Sequence, residues 1–216
     1  AAGVVMVLGL LIYLAGRPFL PSDERPSRAE RAQREKLSRS DWVCVLYLIF
    51  LIPVLAIALL TNQEIFNAYL IWGDQHFNLR FMGTDLPSSW LITLDAALSF
   101  SMLVAVAAFW KWWGNRRREP DEISKMIIGS IFTIGGGLCL FMAALTQPEG
   151  GKVSLFWPVM FHLLNSIGFA HILPVSLALF SKIAPRQINA TVIGLYYLSF
   201  FLANYTVGQI GQLYSS

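Results

Sequence analysis

Long apolar segments separated by short polar stretches are the feature that most limits the fold of this chain. A membrane helix needs about 20 mostly apolar residues to cross about 30 Å of hydrocarbon. Only helices and closed barrels satisfy their backbone in lipid, and barrel strands have about ten residues. The sequence therefore predicts an all-α, polytopic helical membrane protein with about six transmembrane segments, running from Ala1 to about Leu20, about Asp41 to the Trp72 region, about Ser88 to Trp113, Glu122 to Gln147, Val153 to Lys182 and Ile188 to about Tyr214.

Composition also favours a membrane protein. Hydrophobic residues make up 56% of the 216 residues and charged residues 13%, whereas soluble domains carry about 25% charged residues. The lysines and arginines lie between the apolar segments, and a nucleic-acid-binding surface needs them clustered on one folded face. We therefore expect the lipid bilayer, and no nucleic acid, as a partner.

The basic residues also predict the orientation of the chain. Lysines and arginines in short loops resist translocation and mark the cytoplasmic side. They are concentrated after the first, third and fifth segments, at Arg17, Arg25, Arg28, Arg31, Arg34, Lys36, Arg39, Lys111, Arg116, Arg117, Arg118, Lys125, Lys182 and Arg186. The other two loops have one each, Arg80 and Lys152. This alternation independently supports six segments.

The stretch after the first segment is polar, and its acids nearly balance its bases. Its pairs Glu30/Arg34 and Glu35/Arg39 have the i,i+4 spacing that stabilises a short solvated helix. Two interpretations stay open, a contact with lipid headgroups and a soluble connector between two membrane lobes.

Asp95 is the clearest ionisable residue inside an apolar segment. Such a residue is costly at membrane depth, so it usually faces a cavity or a partner and marks a functional site. The structural alternative is a protonated or hydrogen-bonded acid that bridges two helices.

Five polar residues lie at the end of the second segment, namely Thr61, Asn62, Gln63, Glu64 and Asn67. Their side chains either line a cavity or form hydrogen bonds with neighbouring helices. Pro53 and Pro174 each remove a backbone hydrogen bond within a segment and allow bending. The glycines at 135–137 favour close helix packing, because the strand that a phosphate-binding loop requires is absent before them.

Two histidines lie in the fifth segment. We expect His171 to form a hydrogen bond to a neighbouring helix, with a proton relay as the alternative, and His162 to have an interfacial role. Two residues of helix rotate by about 200°, so Phe169 and His171 point largely in opposite directions.

Several stretches, in order, resemble the proton-dependent oligopeptide transporters of the major facilitator superfamily. The similarity extends from Ala1 to Tyr214. It is carried by LIYLAGRPFL at the end of the family's sixth helix, NQ in the seventh, LPSSW entering the eighth, SLALFSKIAP closing the tenth and GLYYLSFFLAN in the eleventh.

The resemblance implies a carrier of two six-helix lobes that rock about a central site. Residues 1–20 would be the last transmembrane helix of the N-terminal lobe, residues 21–40 a cytoplasmic linker, and residues 41–216 the C-terminal lobe without its last helix. We interpret the chain, which starts without methionine, as an interior piece of a longer protein whose missing N-terminal lobe is a partner. The expected location is the bacterial inner membrane.

The function that the resemblance implies is secondary active transport, with proton-coupled uptake of di- and tripeptides by alternating access. The partner is a short peptide substrate, and no cofactor is expected besides the proton as coupling ion. The alternatives are an atypical family member that carries another solute and a non-transporting membrane receptor or subunit. An enzyme is not expected, since the sequence has no Gly-x-Ser-x-Gly or His-Glu-x-x-His motif.

The resemblance also assigns candidate substrate-binding residues. Asn62 and Gln63 match a Glu-Gln pair of the family's seventh helix, so that an amide replaces an acid. Asp95 matches an asparagine of the eighth helix that holds the peptide amino group. Phe169 stands where the tenth helix has a glutamate that binds the peptide amino terminus.

Tyr196 matches a pocket-lining tryptophan of the eleventh helix, with Tyr197 and Ser199 beside it. A carboxylate makes a charge-assisted contact with an ammonium group, and Phe169 cannot supply that contact. We therefore hypothesise that Asp95 has taken over amine binding, proton coupling or both.

Overall fold

The computed structural model describes residues 2–19 and 37–215, in two units that divide between Lys36 and Leu37. The first unit contains α1 (Ala2–Gly16) followed by a 3-10 turn at Arg17–Phe19. Most of the predicted linker, including the pair Glu30/Arg34, lies outside the described residues.

The second unit is built from helices, as its long apolar segments predict. They are α2 (Arg39–Glu64), α3 (Ala68–His76), α4 (Trp90–Gly114), α5 (Glu122–Leu145), α6 (Phe156–Ile183), α7 (Asn189–Tyr196) and α8 (Leu198–Ser215). The prediction of a polytopic helical membrane protein is confirmed. Within the described part of the chain, five spans are long and apolar enough to cross a membrane, namely Arg39–His76, Trp90–Gly114, Glu122–Leu145, Phe156–Ile183 and Arg186–Gln212, while Met6–Phe19 is apolar but shorter.

Two of these spans are interrupted. The helix breaks at residues 65–67, between α2 and α3, and again at Tyr197, between α7 and α8. Pro53 and Pro174 instead lie inside continuous helices. At the first interruption, Asn67 Nδ2 donates a hydrogen bond to the carbonyl oxygen of Val207 in α8, at 3.1 Å. This bond satisfies a polar side chain at a point where the regular helix stops.

The connections between helices group at two ends of the second unit. At one end, Phe77 forms a parallel bridge with Val153, so that the α3–α4 and α5–α6 connections lie together. At the other end, Lys182 near the end of α6 donates to Glu122 at the start of α5, at 2.8 Å. Within residues 37–215, the two connections with one basic residue each therefore lie at one end, and the more basic α4–α5 and α6–α7 connections lie at the other. The first basic stretch lies largely outside the described residues.

The connection after α3 also forms a small hairpin, in which β1 (Arg80–Phe81) pairs antiparallel with β2 (Thr84–Asp85). Its turn residues Met82 and Gly83 both have positive φ, at 50° and 84°. A two-residue turn of this kind requires positive φ at both positions, because its twist must match that of the strands.

Helix α6 is the centre of the second unit, and α5 approaches it closely through glycines. A Cβ atom built on Gly129 would lie 2.7 Å from His171 Cβ, and one on Gly136 would lie 3.3 Å from the carbonyl oxygen of Phe161. On the α6 side, a Cβ on Gly168 would lie 2.7 Å from the carbonyl oxygen of Gly129. Small residues let membrane helices pack backbone to backbone, where lipid supplies no hydrophobic driving force. The predicted packing role of the glycines at 135–137 thus falls on Gly136.

This contact predicts an unequal cost for two glycine substitutions. Gly168→Ala should lower the free energy of unfolding by about 1–3 kcal/mol, because the added methyl group meets backbone atoms that cannot move aside. Gly137→Ala is the matched control, since a Cβ at Gly137 meets nothing within 4 Å. Thermal unfolding of the purified protein in detergent would measure both. Equal stability of the two variants would contradict the close α5–α6 contact.

Candidate functional site

Asp95 lies at membrane depth in α4 with 6% of its surface exposed. Its Oδ1 atom is 3.1 Å from Nδ1 of His162 in α6. A buried carboxylate is costly unless it is paired and hydrogen-bonded. His162 provides a hydrogen bond, and it provides a countercharge when its imidazole is protonated. The structural alternative, an acid that bridges two helices, therefore describes the observed contact.

His162 joins a third helix to this pair. Its Nε2 atom is 2.9 Å from the hydroxyl group of Tyr69 in α3. We call Tyr69, His162 and Asp95 the three-helix triad. The expected interfacial role of His162 is wrong, since its surface exposure is 0%.

The sequence contains one signal for this pairing, because the two residues lie at similar distances from the starts of their helices. Asp95 is five residues after the start of α4 at Trp90, and His162 is six residues after the start of α6 at Phe156. Because α4 and α6 both start from the same end of the bundle, a rise of 1.5 Å per residue places both side chains at similar depth. Depth alone did not show which faces of the helices meet.

Aromatic side chains enclose the triad. The Tyr69 ring lies 5.0 Å from the Phe161 ring and 5.9 Å from the Phe77 ring, between centroids. Tyr69, Phe77 and Phe161 belong to one buried cluster with Leu91 and Ala143. This apolar shell lowers the local dielectric around the triad, which strengthens the hydrogen bonds inside it.

Further polar groups follow His162 along α6. Ser166 is fully buried, and its hydroxyl group is 3.1 Å from that of Ser99 in α4. The side-chain amide of Asn165 is buried, and neither its nitrogen nor its oxygen has a hydrogen-bond partner among the described residues. Native structures rarely leave such groups unpaired, so Asn165 marks a place for a water molecule or another polar group.

The polar residues at the end of α2 and just after it have both of the predicted roles. Asn67 satisfies a neighbouring helix, as described above, and Gln63 Nε2 donates to Asn62 Oδ1 at 3.4 Å. Thr61 and Glu64 instead line a cleft of about 220 Å³ together with Tyr69. Both the helix-bridging and the cavity-lining interpretations therefore apply, to different residues of this group.

The remaining candidate residues lie on α6, on α8 and at the end of α7. Phe169 packs against an apolar cluster that α2 and α8 form. Tyr196 is fully buried, and its hydroxyl group lies 3.0 Å from that of Ser176. Ser199, also fully buried, donates to the carbonyl oxygen of Tyr196 at 2.7 Å. Tyr197, at the second interruption, is 56% exposed.

The structure brings Asp95 together with His162, and it packs Phe169 elsewhere. Asp95 in α4 contacts α6 through His162, and His162 in turn contacts Tyr69 in α3. Phe169 lies seven residues beyond His162 on α6, about 10 Å along the helix axis. Tyr196 contacts Ser176, seven residues further along α6. Asp95, Phe169 and Tyr196 therefore contact α6 at three different depths.

Among the described residues, His171 does not make the predicted bond to a neighbouring helix. Its Nδ1 atom lies 2.8 Å from the carbonyl oxygen of Ile167, one turn earlier in α6. Its ring contacts Trp110 of α4 edge-on, at 5.9 Å between centroids, and stacks on Phe132 of α5 at 6.3 Å. His171 is thus a packing residue of the α4–α5–α6 contact.

Comparison with known proteins yields one family and several related transporters. The model of the Major Facilitator Superfamily matches residues 1–205. A peptide transporter of Yersinia enterocolitica is 26% identical over 82% of this chain and 35% of its own length. A di-/tripeptide transporter of Lactococcus lactis is 23% identical over 60% of this chain and 26% of its own length.

A solved structure shares the fold. A crystal structure of the peptide transporter POT in complex with alafosfalin superposes with a TM-score of 0.75, at 19% identity, over 98% of this chain and 46% of that one. The chain therefore spans about a quarter to a third of the length of the two curated relatives and about half of the solved chain.

The contrast between the two adjacent tyrosines predicts different effects of removing their hydroxyl groups. Tyr196→Phe should lower the free energy of unfolding by about 1 kcal/mol, because it deletes a buried hydrogen bond to Ser176. Tyr197→Phe should leave stability unchanged, since the exposed Tyr197 hydroxyl has no hydrogen bond within the described chain. Thermal unfolding in detergent measures both, and equal effects would argue against the buried Tyr196–Ser176 bond.

Proposed function

Because this chain belongs to the Major Facilitator Superfamily, we propose that it forms part of a secondary active transporter that takes up short peptides with protons by alternating access. The peptide transporters among its relatives confirm the resemblance that the sequence motifs indicate. They also support the proposed substrate class, and a transport role is proposed in place of an enzymatic one.

The observation that carries this proposal is the three-helix triad. An ionisable side chain at membrane depth is expensive to retain, and in carriers such groups mark ion or substrate pathways. Asp95 and His162 have ionisable side chains, contact each other, and lie in helices long enough to cross the membrane. A coupling proton needs a buried site of this kind.

We propose the following division of the chain. Residues 1–20 form the last helix of an N-terminal lobe, residues 21–40 a cytoplasmic linker, and residues 41–216 most of a C-terminal lobe. The bacterial relatives support a location in the inner (plasma) membrane. The peptide would bind between the two lobes, as interrupted helices and midplane sites in secondary transporters suggest.

For the substrate, we propose that Asn62, Gln63 and Phe169 face the pocket together with Tyr197. Tyr197 lies at an interruption and is largely exposed, which supports direct contact. Tyr196 and Ser199 are fully buried and hydrogen-bonded; we therefore assign them to the support of Tyr197 and the wall of the pocket.

The contacts of Asp95 favour one of its two hypothesised roles. Asp95 is 6% exposed, and one of its oxygens is already bonded to His162. Little carboxylate surface is left for a peptide ammonium group, whereas a proton needs none. We therefore propose that Asp95 serves in proton coupling, and that an amine, where the substrate has one, is held elsewhere. An atypical member that carries another solute is the second candidate, because Phe169 offers no charge to an amine.

The proposal predicts a specific loss in Asp95→Asn. The amide keeps the volume of the side chain but removes the negative charge that favours a proton at this site, so uptake of a dipeptide driven by an imposed proton gradient should be abolished. The measurement uses the full-length carrier in vesicles. Asp74→Asn is the control, since Asp74 is exposed in the structure and should leave uptake unchanged.

Binding of peptides is tested separately. A ligand that binds only the folded state raises its apparent stability, so dipeptides, and not single amino acids, should raise the unfolding temperature of the full-length carrier. The absence of a shift with any peptide would favour the carrier of another solute or the non-transporting receptor.

A further inference from the structure

The geometry points to His162, held between Asp95 and Tyr69, as the group that binds the coupling proton. The link between this proton and transport rests on the proposed function. The binding of a proton at His162, in contrast, is a property of the described residues alone. It assigns to His162 a role that neither the motifs nor the resemblance indicates.

Both ring nitrogens of His162 have a partner, which allows two protonation states. In the neutral state, Nδ1–H donates to Asp95 Oδ1 at 3.1 Å, and Nε2 accepts from the Tyr69 hydroxyl group at 2.9 Å. In the charged state, both nitrogens donate, and the Tyr69 oxygen accepts. One proton therefore adds to Nε2 while the Tyr69 hydroxyl group turns from donor to acceptor. No bond between heavy atoms forms or breaks, and no ring nitrogen loses its partner.

The charge balance of the site favours this proton. With neutral His162 and ionised Asp95, the site carries one negative charge in an apolar shell, and isolated buried charges are costly. Addition of one proton makes an ion pair with no net charge. Within residues 37–215, the ion-pair partner of Asp95 is His162, so the proton is the cation that compensates the carboxylate.

The other titratable groups near the triad do not replace that cation. From α2, Glu64 lines the cleft that Tyr69 also lines. From α5, Cys139 packs against the apolar cluster that contains Tyr69. Both groups are neutral or negative. The element α8 contributes Val207 and Ile210 to the same cleft, and neither side chain titrates.

The site also links the proton to α3. Tyr69 lies in α3, which residues 65–67 separate from α2. Once the Tyr69 hydroxyl group accepts from the charged imidazole, its own hydrogen needs a new acceptor. Protonation therefore reverses the direction of the hydrogen bond that joins α3 to α6.

Proton binding is tested on the full-length carrier, labelled with [15N]histidine, in vesicles of phosphatidylethanolamine and phosphatidylglycerol. Solid-state NMR distinguishes neutral from charged imidazole. We expect the resonance that is missing in His162→Gln to change from neutral to charged as the pH falls from about 8 to about 5. In Asp95→Asn the same resonance should stay neutral over this range. A wild-type His162 that keeps one protonation state throughout would overturn the inference.

The link to transport is tested in the same vesicles by two readouts. In His162→Gln, accumulation of a dipeptide driven by a proton gradient should be lost, whereas exchange of labelled for unlabelled dipeptide should persist, because exchange needs no net proton movement. His171→Gln is the matched control, a histidine of the same helix whose hydrogen bond within the described chain is to its own helix, and it should behave like wild type. Driven accumulation by His162→Gln at the wild-type level would contradict the role of His162.

Tyr69→Phe is the second variant, and it guards against a His162→Gln protein that fails to fold. It keeps the ring and removes the partner of Nε2, so it should alter the His162 resonance and weaken driven accumulation.

The two proposals can be contradicted independently of each other. A wild-type carrier that moves no peptide, but whose His162 titrates, contradicts the proposed function alone. A carrier that accumulates peptide while His162 does not titrate contradicts the inference at His162 alone.

Discussion

The backbone contact between α5 and α6 is the constraint on which the rest of the second unit depends. In lipid, helices gain little from hiding apolar side chains, so they must fit closely in order to associate. Gly129 and Gly168 permit that fit, because a Cβ on either would meet atoms of the other helix within 3 Å. With α5 on one side of α6, α4 and α3 reach the polar side chains of α6 from other directions. The triad forms where these approaches meet.

The same arrangement explains why α6 carries so many polar residues without becoming unstable. His162, Ser166 and Ser176 are all fully buried, and each has a hydrogen-bond partner. Inside a medium of low dielectric, satisfied polar groups hold helices in one arrangement, whereas an unpaired group is costly. Asn165 lacks a partner within the described chain and therefore marks the place where the polar site is open to further chemistry.

Much of the fold was predictable, and the site was predictable only in part. The helices α4, α5 and α6 begin and end within a few residues of the predicted segments, since hydropathy is a property of the residues themselves. The interruptions at residues 65–67 and at Tyr197 were not predicted. The prolines that suggested bending lie elsewhere, and tertiary contacts such as that of Asn67 with Val207 accompany the break. Asp95 was recognised because a charge in an apolar run is visible locally.

The sequence by itself determined the class of the protein and the approximate limits of α4, α5 and α6, and it singled out Asp95 as an ionisable residue in an apolar segment. Six membrane segments were predicted, and five spans of the described residues are long enough to cross a membrane. The class, the helix limits and the choice of Asp95 follow from the chemistry of single residues and short segments in contact with lipid. Only the tertiary structure decided the partners. It placed His162 against Asp95, 67 residues away, and against Tyr69, 93 residues away, and it left His171 as a packing residue. Hydrogen bonds require atoms within about 3 Å, and which helix faces come that close depends on the packing of the whole bundle.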